Sequence, residues 1–168
     1  RIYDVPVFVT PVGFKYVGPK MISEQAIIGG EESGGFGYKG HIPERDGILS
    51  ALLMVEMMSI TGKTPSELIL DLRTRVGEYS YNRVDVSFSE SDTLRLREKF
   101  NTLRPDSIAG LKVSKIDDVD GRRFILQDGS WLIIRFSGTE PLLRIYSESE
   151  NPDIVNALIN DTKDMLGV

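Results

Sequence analysis

The chain has 168 residues with 40% hydrophobic and 27% charged side chains, a composition typical of a globular protein with one domain or two small ones. Its lack of cysteine excludes disulfides, thiol nucleophiles and thiolate metal sites, and it is compatible with a reducing, cytoplasmic location. The net charge of −5 argues against a nucleic-acid partner, and we expect no membrane partner because no apolar run reaches the roughly 20 residues of a membrane helix.

The first 45 residues are predicted to form short strands, turns and one short helix. Residues 5–9 are predicted to form a strand, residues 10–13 a turn, and residues 20–25 a short helix. A buried strand over residues 26–28 then leads into residues 29–37, where five of nine positions are glycine. This density of glycine predicts a loop with unusual backbone angles or a close approach to a ligand.

Two longer helices follow. Asp46 is a suitable N-cap for a helix that ends at about Gly62 and is apolar on nearly every face, as expected inside a layered α/β domain. The capping box from Thr64 to Glu67 has proline at the first helical position and predicts a second helix, ending near Gly77. With few strands and two long helices, this half resembles the rear part of a larger three-layer α/β domain.

The second half is predicted to contain five strands and two helices. The strands are expected at residues 82–88, 111–117, 122–127, 130–136 and 142–147. The helices are expected at residues 91–103 and from Asn151 to the end of the chain. The order β-α-β-β-β-β-α describes a small α+β domain, so we expect one domain over residues 1–80 and another over residues 81–168.

The strongest candidate binding site lies at the turn after the fourth of these strands. A strand delivers Arg135, and the turn exposes the hydroxyls of Ser137 and Thr139 and successive backbone N–H groups around Gly138, which can form a concave anion site. A guanidinium can bind two phosphate oxygens at once, and Arg144 on the returning strand could close the other side. The alternative is an ordinary hairpin turn with surface arginines.

The glycine-rich segment carries a second candidate site. Glu31, Glu32 and Ser33 place two carboxylates and a hydroxyl on a loop after a buried strand, which suits recognition of a polyol. The carboxylate pair could also bind a metal ion, but the sequence offers no further ligands nearby. The alternative is a solvated, flexible loop.

Three further side chains near this segment are candidates. His41 is the only histidine, and a lone histidine is more often structural than catalytic. Arg45 could face a phosphate or solvent, and Asp46 is most simply a helix cap. Lys15, among apolar residues, is at least as compatible with a surface lysine whose stem packs on the protein.

Three motifs in this order resemble the C-terminal part of the α-D-phosphohexomutases, the phosphoglucomutase/phosphomannomutase family. Residues 30–34 (Gly-Glu-Glu-Ser-Gly) resemble the sugar-recognition loop of its third domain, and residues 10–15 and 41–47 resemble the segments that flank this loop. Residues 135–144 resemble the phosphate-binding loop of its fourth domain, a small module similar to the TATA-binding protein. The similarity spans nearly the whole chain.

The resemblance implies a role for each matching residue. Glu31 and Ser33 would bind the sugar hydroxyls, and Lys15, His41 and Arg45 would line the cleft near the reacting groups. The phosphate that is not transferred would be held by Arg135, Ser137, Gly138, Thr139 and Arg144. The parent enzyme would be an isomerase and phosphotransferase of carbohydrate metabolism, using Mg²⁺, a phosphoserine and a hexose 1,6-bisphosphate to interconvert hexose 1-phosphate and hexose 6-phosphate.

Two motifs of the family do not occur in this sequence. One is the Thr-Ala-Ser-His-Asn-Pro-like loop that carries the phosphoserine, and the other is the Asp-x-Asp-x-Asp-Arg-like loop that binds Mg²⁺. The nearest stretch, residues 117–120, has the wrong spacing. We therefore expect a fragment without catalytic residues, metal ligands or mutase activity of its own, whose partners are a phosphohexose and the missing N-terminal domains.

Two other classes of function are also compatible with the sequence. One is a stand-alone, non-catalytic phosphosugar-binding module, which needs no phosphoserine loop. The other is an interaction or nucleic-acid domain, which the negative charge disfavours. Within the family, the Glu-Glu-Ser version of the sugar loop resembles glucose- or mannose-phosphate enzymes more than glucosamine-phosphate enzymes.

Overall fold

The computed structural model describes residues 3–168, which divide between Gly77 and Glu78 into two compact units. The first unit contains three helices and one hairpin. The helices are α1 (Phe14–Glu24), α2 (Gly47–Thr61) and α3 (Pro65–Val76), and the hairpin strands are β1 (Ile28–Gly30) and β2 (Phe36–Tyr38). The mixed α/β architecture expected for the chain is confirmed.

The beginning of the chain differs from the prediction. Residues 5–9 form no strand, because Pro6 lacks an N–H donor and no strand among the described residues pairs with this segment. The short helix expected at residues 20–25 is the end of α1, which starts at Phe14 and continues through Pro19. Apolar contacts along one face of α1 therefore outweigh the hydrogen bond that Pro19 cannot make.

Helix α1 and the hairpin form the small core of the first unit. Phe14, Val17 and Met21, spaced at helical intervals, are buried on one face of α1. The hairpin lies directly on this face, because a Cβ at Gly29 would come within 2.4 Å of the Met21 sulfur and 2.7 Å of Val17 Cγ1. Glycine at this position therefore permits the close approach of strand and helix.

Helices α2 and α3 have well-formed ends but no buried residue. Asp46 caps α2 by accepting a hydrogen bond from the Leu49 N–H, and Thr64 and Glu67 complete a capping box at the start of α3. Leu52 and Ile60 on α2 are nevertheless 62% and 77% exposed. The sequence predicts that α2 lies inside a layered domain. Among the described residues, however, no element covers its apolar side chains.

The second unit is an antiparallel sheet of six strands with the order β3-β8-β7-β6-β5-β4. Its strands are β3 (Ser80–Ser87), β4 (Ser107–Ile108), β5 (Leu111–Asp117), β6 (Arg122–Leu126), β7 (Trp131–Phe136) and β8 (Leu142–Ser149). Its helices are α4 (Thr93–Thr102), preceded by a 3₁₀ turn (Glu90–Asp92), and α5 (Pro152–Leu166). The two-residue strand β4 was not predicted, since two residues are too short to show alternation.

Helices α4 and α5 cover one face of this sheet. The buried core consists of Leu96, Ile108, Phe124, Leu126, Leu132, Ile134, Leu143, Ile145, Val155, Leu158, Ile159 and Leu166. Because side chains alternate along a strand, Arg135 on β7 and Arg144 on β8 lie on the opposite face from this core. Among residues 3–168, no helix combines the length and the apolar character needed to cross a bilayer.

Candidate functional site

The first unit brings together three of the sequence motifs at Glu31. One oxygen of this carboxylate accepts a hydrogen bond of 2.9 Å from the backbone N–H of Gly13, and the other lies 3.4 Å from Nη1 of Arg45. The side chain of Glu31 is mostly buried. The carboxylate is therefore held in one orientation before any ligand binds.

The loop between β1 and β2 presents Ser33 at its exposed tip. Two backbone hydrogen bonds of 3.0 Å close the loop, from the Glu31 N–H to the Gly35 carbonyl and from the Gly34 N–H to the Glu31 carbonyl. A Cβ at Gly35 would come within 2.4 Å of Cδ of Arg45. Glycine here lets the Arg45 side chain lie against the loop, where it reaches Glu31.

His41 is oriented by the cap of helix α2. Its Nε2 lies 2.8 Å from Oδ2 of Asp46, while Oδ1 of Asp46 accepts the hydrogen bond from the Leu49 N–H. The Leu49 N–H is the main cause that lowers the pKa of Asp46, and the hydrogen bond with His41 adds to it. The sequence identified Asp46 as a cap but did not reveal that the same carboxylate orients His41.

Lys15 and His41 are not joined to Glu31 in the part of the chain that the structure describes. The Lys15 ammonium lies 4.9 Å from the ring centroid of Tyr16 and is exposed. The structure therefore unites Glu31 with Arg45 and leaves Lys15 and His41 as separate polar groups of the same unit.

In the second unit, Arg135 and Arg144 lie directly opposite each other on the neighbouring strands β7 and β8. The two side chains are 21% and 24% exposed, so both guanidinium groups are largely withdrawn from water. Two like charges directly opposite in an antiparallel pair destabilise the sheet unless an anion compensates them. The second unit thus carries two partly buried cations side by side on one face of the sheet.

The turn that joins the two strands offers hydrogen-bond donors beside this pair. The Ser137 N–H donates to the Leu142 carbonyl at 2.8 Å, and the Thr139 N–H lies 3.4 Å from the Ser137 hydroxyl. The N–H groups of Gly138 and Glu140 make no hydrogen bond to any residue in the range 3–168. A Cβ at Gly138 would face open space, so this position is accessible to a ligand.

An aromatic cluster fixes the base of this turn. Phe136, the last residue of β7, contacts the ring of Phe100 edge-on with 5.4 Å between centroids, and it contacts Phe88 in the same way at 5.9 Å. The backbone that carries Arg135 and Ser137 is thereby anchored to the core. This anchoring was not visible from the sequence motif alone.

Each of the two arginines has a carboxylate nearby but beyond hydrogen-bond distance. Nη1 of Arg135 lies 3.6 Å from Oδ2 of Asp120, and Nε of Arg144 lies 3.8 Å from Oδ2 of Asp85. Nε of Arg144 is buried and has no hydrogen-bond partner among the described residues. The two arginines therefore keep donor groups available, which is the arrangement expected of an anion site.

The carboxylates of the described residues do not form a metal site. No group of three or more His, Asp or Glu side chains in residues 3–168 is arranged to hold an ion. In the acidic stretch after β5, Asp117 pairs with Arg123 at 2.5 Å, and Asp118 pairs with Arg104 and Arg122. These carboxylates neutralise arginines of their own unit.

Comparisons with known proteins cover both units. The model of "Phosphoglucomutase/phosphomannomutase, alpha/beta/alpha domain III" matches residues 1–76, and that of "Phosphoglucomutase/phosphomannomutase, C-terminal domain" matches residues 92–165. Together these two models account for most of both units.

Individual relatives of the chain are also named as mutases of this family. A phosphoglucosamine/phosphogalactosamine mutase of Sulfurisphaera tokodaii is 32% identical over 96% of this chain and 33% of its own length. A phosphoglucomutase/phosphomannomutase of Thermococcus kodakarensis is 34% identical over 86% of this chain and 29% of its own length. A crystal structure from Thermus thermophilus, described as a candidate phosphomannomutase, has a TM-score of 0.75 and 32% identity over 99% of this chain and 32% of that chain. The chain thus spans about a third of the length of these relatives.

Proposed function

The chain belongs to the phosphoglucomutase/phosphomannomutase family and matches its third domain and its C-terminal domain. We propose that it supplies the substrate-binding part of a phosphohexomutase. The parent enzyme would interconvert hexose 1-phosphate and hexose 6-phosphate through a phosphoserine and a hexose 1,6-bisphosphate. Residues 1–80 would form the rear of the third domain and residues 81–168 the fourth, a boundary that lies close to the structural division after Gly77.

The cross-strand pair of Arg135 and Arg144 is the observation that carries the proposal. A phosphate dianion placed between the two guanidinium groups would remove their mutual repulsion and satisfy the buried Nε of Arg144. The unoccupied N–H groups of Gly138 and Glu140 and the hydroxyls of Ser137 and Thr139 would complete the contacts. This site would hold the phosphate that is not being transferred.

The sugar ring would be recognised in the first unit. The Glu31 carboxylate, already oriented by Gly13 and Arg45, would accept hydrogen bonds from sugar hydroxyls, and the exposed Ser33 hydroxyl would donate or accept another. Lys15, His41 and Arg45 would provide positive charge or protons near the reacting end of the substrate. The phosphates at both ends of the sugar would react in turn, so the sugar would bind in two orientations. The sugar site would therefore have to accept related hydroxyl patterns from either end of the ring.

Mg²⁺ would neutralise charge on the phosphoryl group in transit. The acidic stretch at Asp117 and Asp118 does not fit such an ion, since arginines already neutralise these carboxylates. The metal and the phosphoserine would therefore come from the remainder of the parent protein, and the residues of this chain would act by binding and orienting the substrate.

The first test is binding and turnover by this chain alone. We expect isothermal titration calorimetry to detect binding of glucose 6-phosphate and inorganic phosphate, while the chain produces no glucose 6-phosphate from glucose 1-phosphate. Detectable mutase turnover by the pure chain would contradict the proposed division of roles. Failure to bind either compound would contradict the phosphate site.

The second test concerns the parent protein and its substrate. The relatives' names include both glucose- or mannose-type and amino-sugar-type mutases, and the Glu31-Glu32-Ser33 loop leads us to expect a preference for glucose and mannose phosphates. A panel of glucose, mannose and glucosamine 1-phosphates, compared by kcat/KM, measures this preference. A parent without a phosphoserine loop would instead favour a non-catalytic phosphosugar-binding module.

A further inference from the structure

We propose that Arg83 is a positioning residue for the phosphate site: it holds the Asp85 carboxylate and thereby leaves the guanidinium of Arg144 available to an anion. Arg83 is not part of the phosphate loop and lies on strand β3, at the edge of the sheet. The inference rests on the proposed role of Arg144 in phosphate binding.

Strand register places the relevant charges in one row across three strands. Asp85 on β3 is directly opposite Arg144 on β8, and Arg144 is directly opposite Arg135 on β7. A carboxylate therefore flanks the arginine pair on the β3 side. If this carboxylate closed on Arg144, it would occupy the donors that a phosphate needs.

The observed distances show that Asp85 is engaged elsewhere. Nε and Nη2 of Arg83 lie 2.8 Å and 2.9 Å from the two carboxylate oxygens of Asp85, a bidentate pair. The Nε of Arg144 is 3.8 Å from the same carboxylate, too far for a hydrogen bond, and it is buried without a partner in the described chain. Asp85 thus accepts its hydrogen bonds from Arg83, while it attracts Arg144 only through its charge.

Two contacts keep Arg83 in this position. It lies two residues from Asp85 on the same face of β3, and its guanidinium stacks 5.5 Å from the ring centroid of Tyr146, its cross-strand neighbour on β8. The hydrogen bonds from Arg83 are also the main cause that lowers the pKa of Asp85, with a smaller contribution from the charge of Arg144. The carboxylate therefore stays ionised and remains paired with Arg83.

Removing Arg83 should release Asp85 to Arg144. The gap of 3.8 Å needs to shorten by only about 1 Å for a charge-assisted hydrogen bond to form between Asp85 and Arg144. Phosphate would then have to displace this bond before binding. Removing Asp85 should have the opposite effect, because the competitor and its repulsion of the anion both disappear.

The test is calorimetric titration of the full chain with inorganic phosphate and with glucose 6-phosphate. We expect Arg83→Gln to weaken binding about tenfold, because a charge-assisted hydrogen bond must be broken, and Asp85→Asn to tighten it about threefold. The double variant should bind both ligands as tightly as Asp85→Asn alone. Arg95→Gln is the matched control, since it removes another arginine paired with an aspartate, but on helix α4 across the sheet from the site.

The outcomes separate this inference from the proposed function. If Arg83→Gln weakens binding equally with and without Asp85, Arg83 acts as a direct ligand or a general charge, and the inference is wrong. If Arg83→Gln has no effect while Arg144→Ala weakens binding, the inference fails but the phosphate site stands. If phosphate does not bind the wild-type chain, or if Arg144→Ala binds it normally, both fail. If Arg83→Gln does not fold, Arg83→Lys replaces it. This variant should weaken phosphate binding less, and the weakening should disappear when Asp85→Asn is also present.

Discussion

The backbone N–H of Gly13 donates a hydrogen bond of 2.9 Å to the Glu31 carboxylate, which lies 18 positions later in the chain. This bond connects the segment before helix α1 to the loop between β1 and β2. Because Arg45 approaches the other carboxylate oxygen, one side chain organises all three motifs of the first unit. The variants of Glu31 are therefore the most direct probe of the proposed sugar recognition.

Glu31→Ala should weaken the affinity of the chain for glucose 6-phosphate without changing its affinity for inorganic phosphate. The reason is that Glu31 would contact sugar hydroxyls, whereas inorganic phosphate would bind at Arg135 and Arg144. We expect a loss of about tenfold, typical of one hydrogen bond from a charged group. Calorimetric titration with both ligands measures the difference, and an equal loss for both would contradict a sugar-specific role. Glu31→Gln, which keeps an oxygen for the Gly13 N–H, should show a smaller loss.

Arg135→Ala should weaken binding of inorganic phosphate and glucose 6-phosphate alike, by about 10- to 100-fold. The substitution removes a largely buried guanidinium, and hydrogen bonds to charged groups contribute about 1.5–3 kcal/mol each. Arg135→Lys should recover only part of the affinity, since an ammonium cannot bind two oxygens in a fixed plane. An unchanged dissociation constant for both ligands would exclude Arg135 from the site.

The sequence predicted the second unit well because that unit contains its own core. Side chains that alternate along β6, β7 and β8 are buried by helices within the same unit, so the pattern and the structure report the same environment. Residues 5–9 are also rich in strand-forming side chains but have no neighbouring strand among the described residues, and the strand predicted there was wrong. Strand-forming residues thus form a strand only where partner strands are present.

The candidate site was predictable in its types of residue but not in its pairings. Ser137, Gly138 and Thr139 form a local motif that can be recognised along the chain. The proximity of Asp85 to Arg144 depends on the register between β3 and β8, which are separated by most of the second unit. Register of this kind is fixed by packing across the sheet and leaves no local signal in the sequence.

Substitutions on helix α2 should test whether the remainder of a larger domain covers it. Leu52→Gln and Ile60→Gln should change the free energy of unfolding of this chain by less than about 0.5 kcal/mol, because both side chains are already exposed. In the intact parent protein, where we propose that these side chains are buried, each should cost about 2–5 kcal/mol. Urea unfolding of both proteins provides the comparison. Leu158→Gln, at a fully buried position of the second unit, is the control that should be destabilising in each.

Acid should destabilise the second unit partly through Asp117. The hydrogen bond from Arg123 is the main cause that lowers the pKa of Asp117, and the Val119 N–H adds to it. Because the pKa is lower in the folded state, the stabilisation is complete above the unfolded value of about 3.9 and is lost as the pH falls through the folded value. Urea unfolding followed by the fluorescence of Trp131, the only tryptophan, should show this loss below about pH 4.

The matched variants of this acid experiment separate Asp117 from other carboxylates. Asp117→Asn should be less stable at neutral pH and should depend less on pH in the acid range, since its ion pair is already absent. Asp164→Asn removes an exposed carboxylate of α5 and should keep the wild-type slope. Equal slopes for wild type and Asp117→Asn would show that Asp117 contributes nothing to acid sensitivity.

Gly121→Ala should both destabilise the second unit and weaken phosphate binding. Gly121 has a φ of +74°, and an added Cβ would lie 2.3 Å from the Ile134 carbonyl oxygen and 3.0 Å from Cβ of Arg135. The turn therefore has to move away from β7, and it carries Asp120, the carboxylate nearest to the Arg135 guanidinium. We expect a loss of about 1–3 kcal/mol in unfolding free energy, measured by Trp131 fluorescence in urea, together with a several-fold weaker affinity for inorganic phosphate.

Gly129→Ala is the matched control, because its φ of +92° is equally strained but an added Cβ meets no atom within 4 Å. If both variants lose stability while only Gly121→Ala loses affinity, the close approach of this turn to Arg135 shapes the site; equal affinities would confine the role of Gly121 to folding.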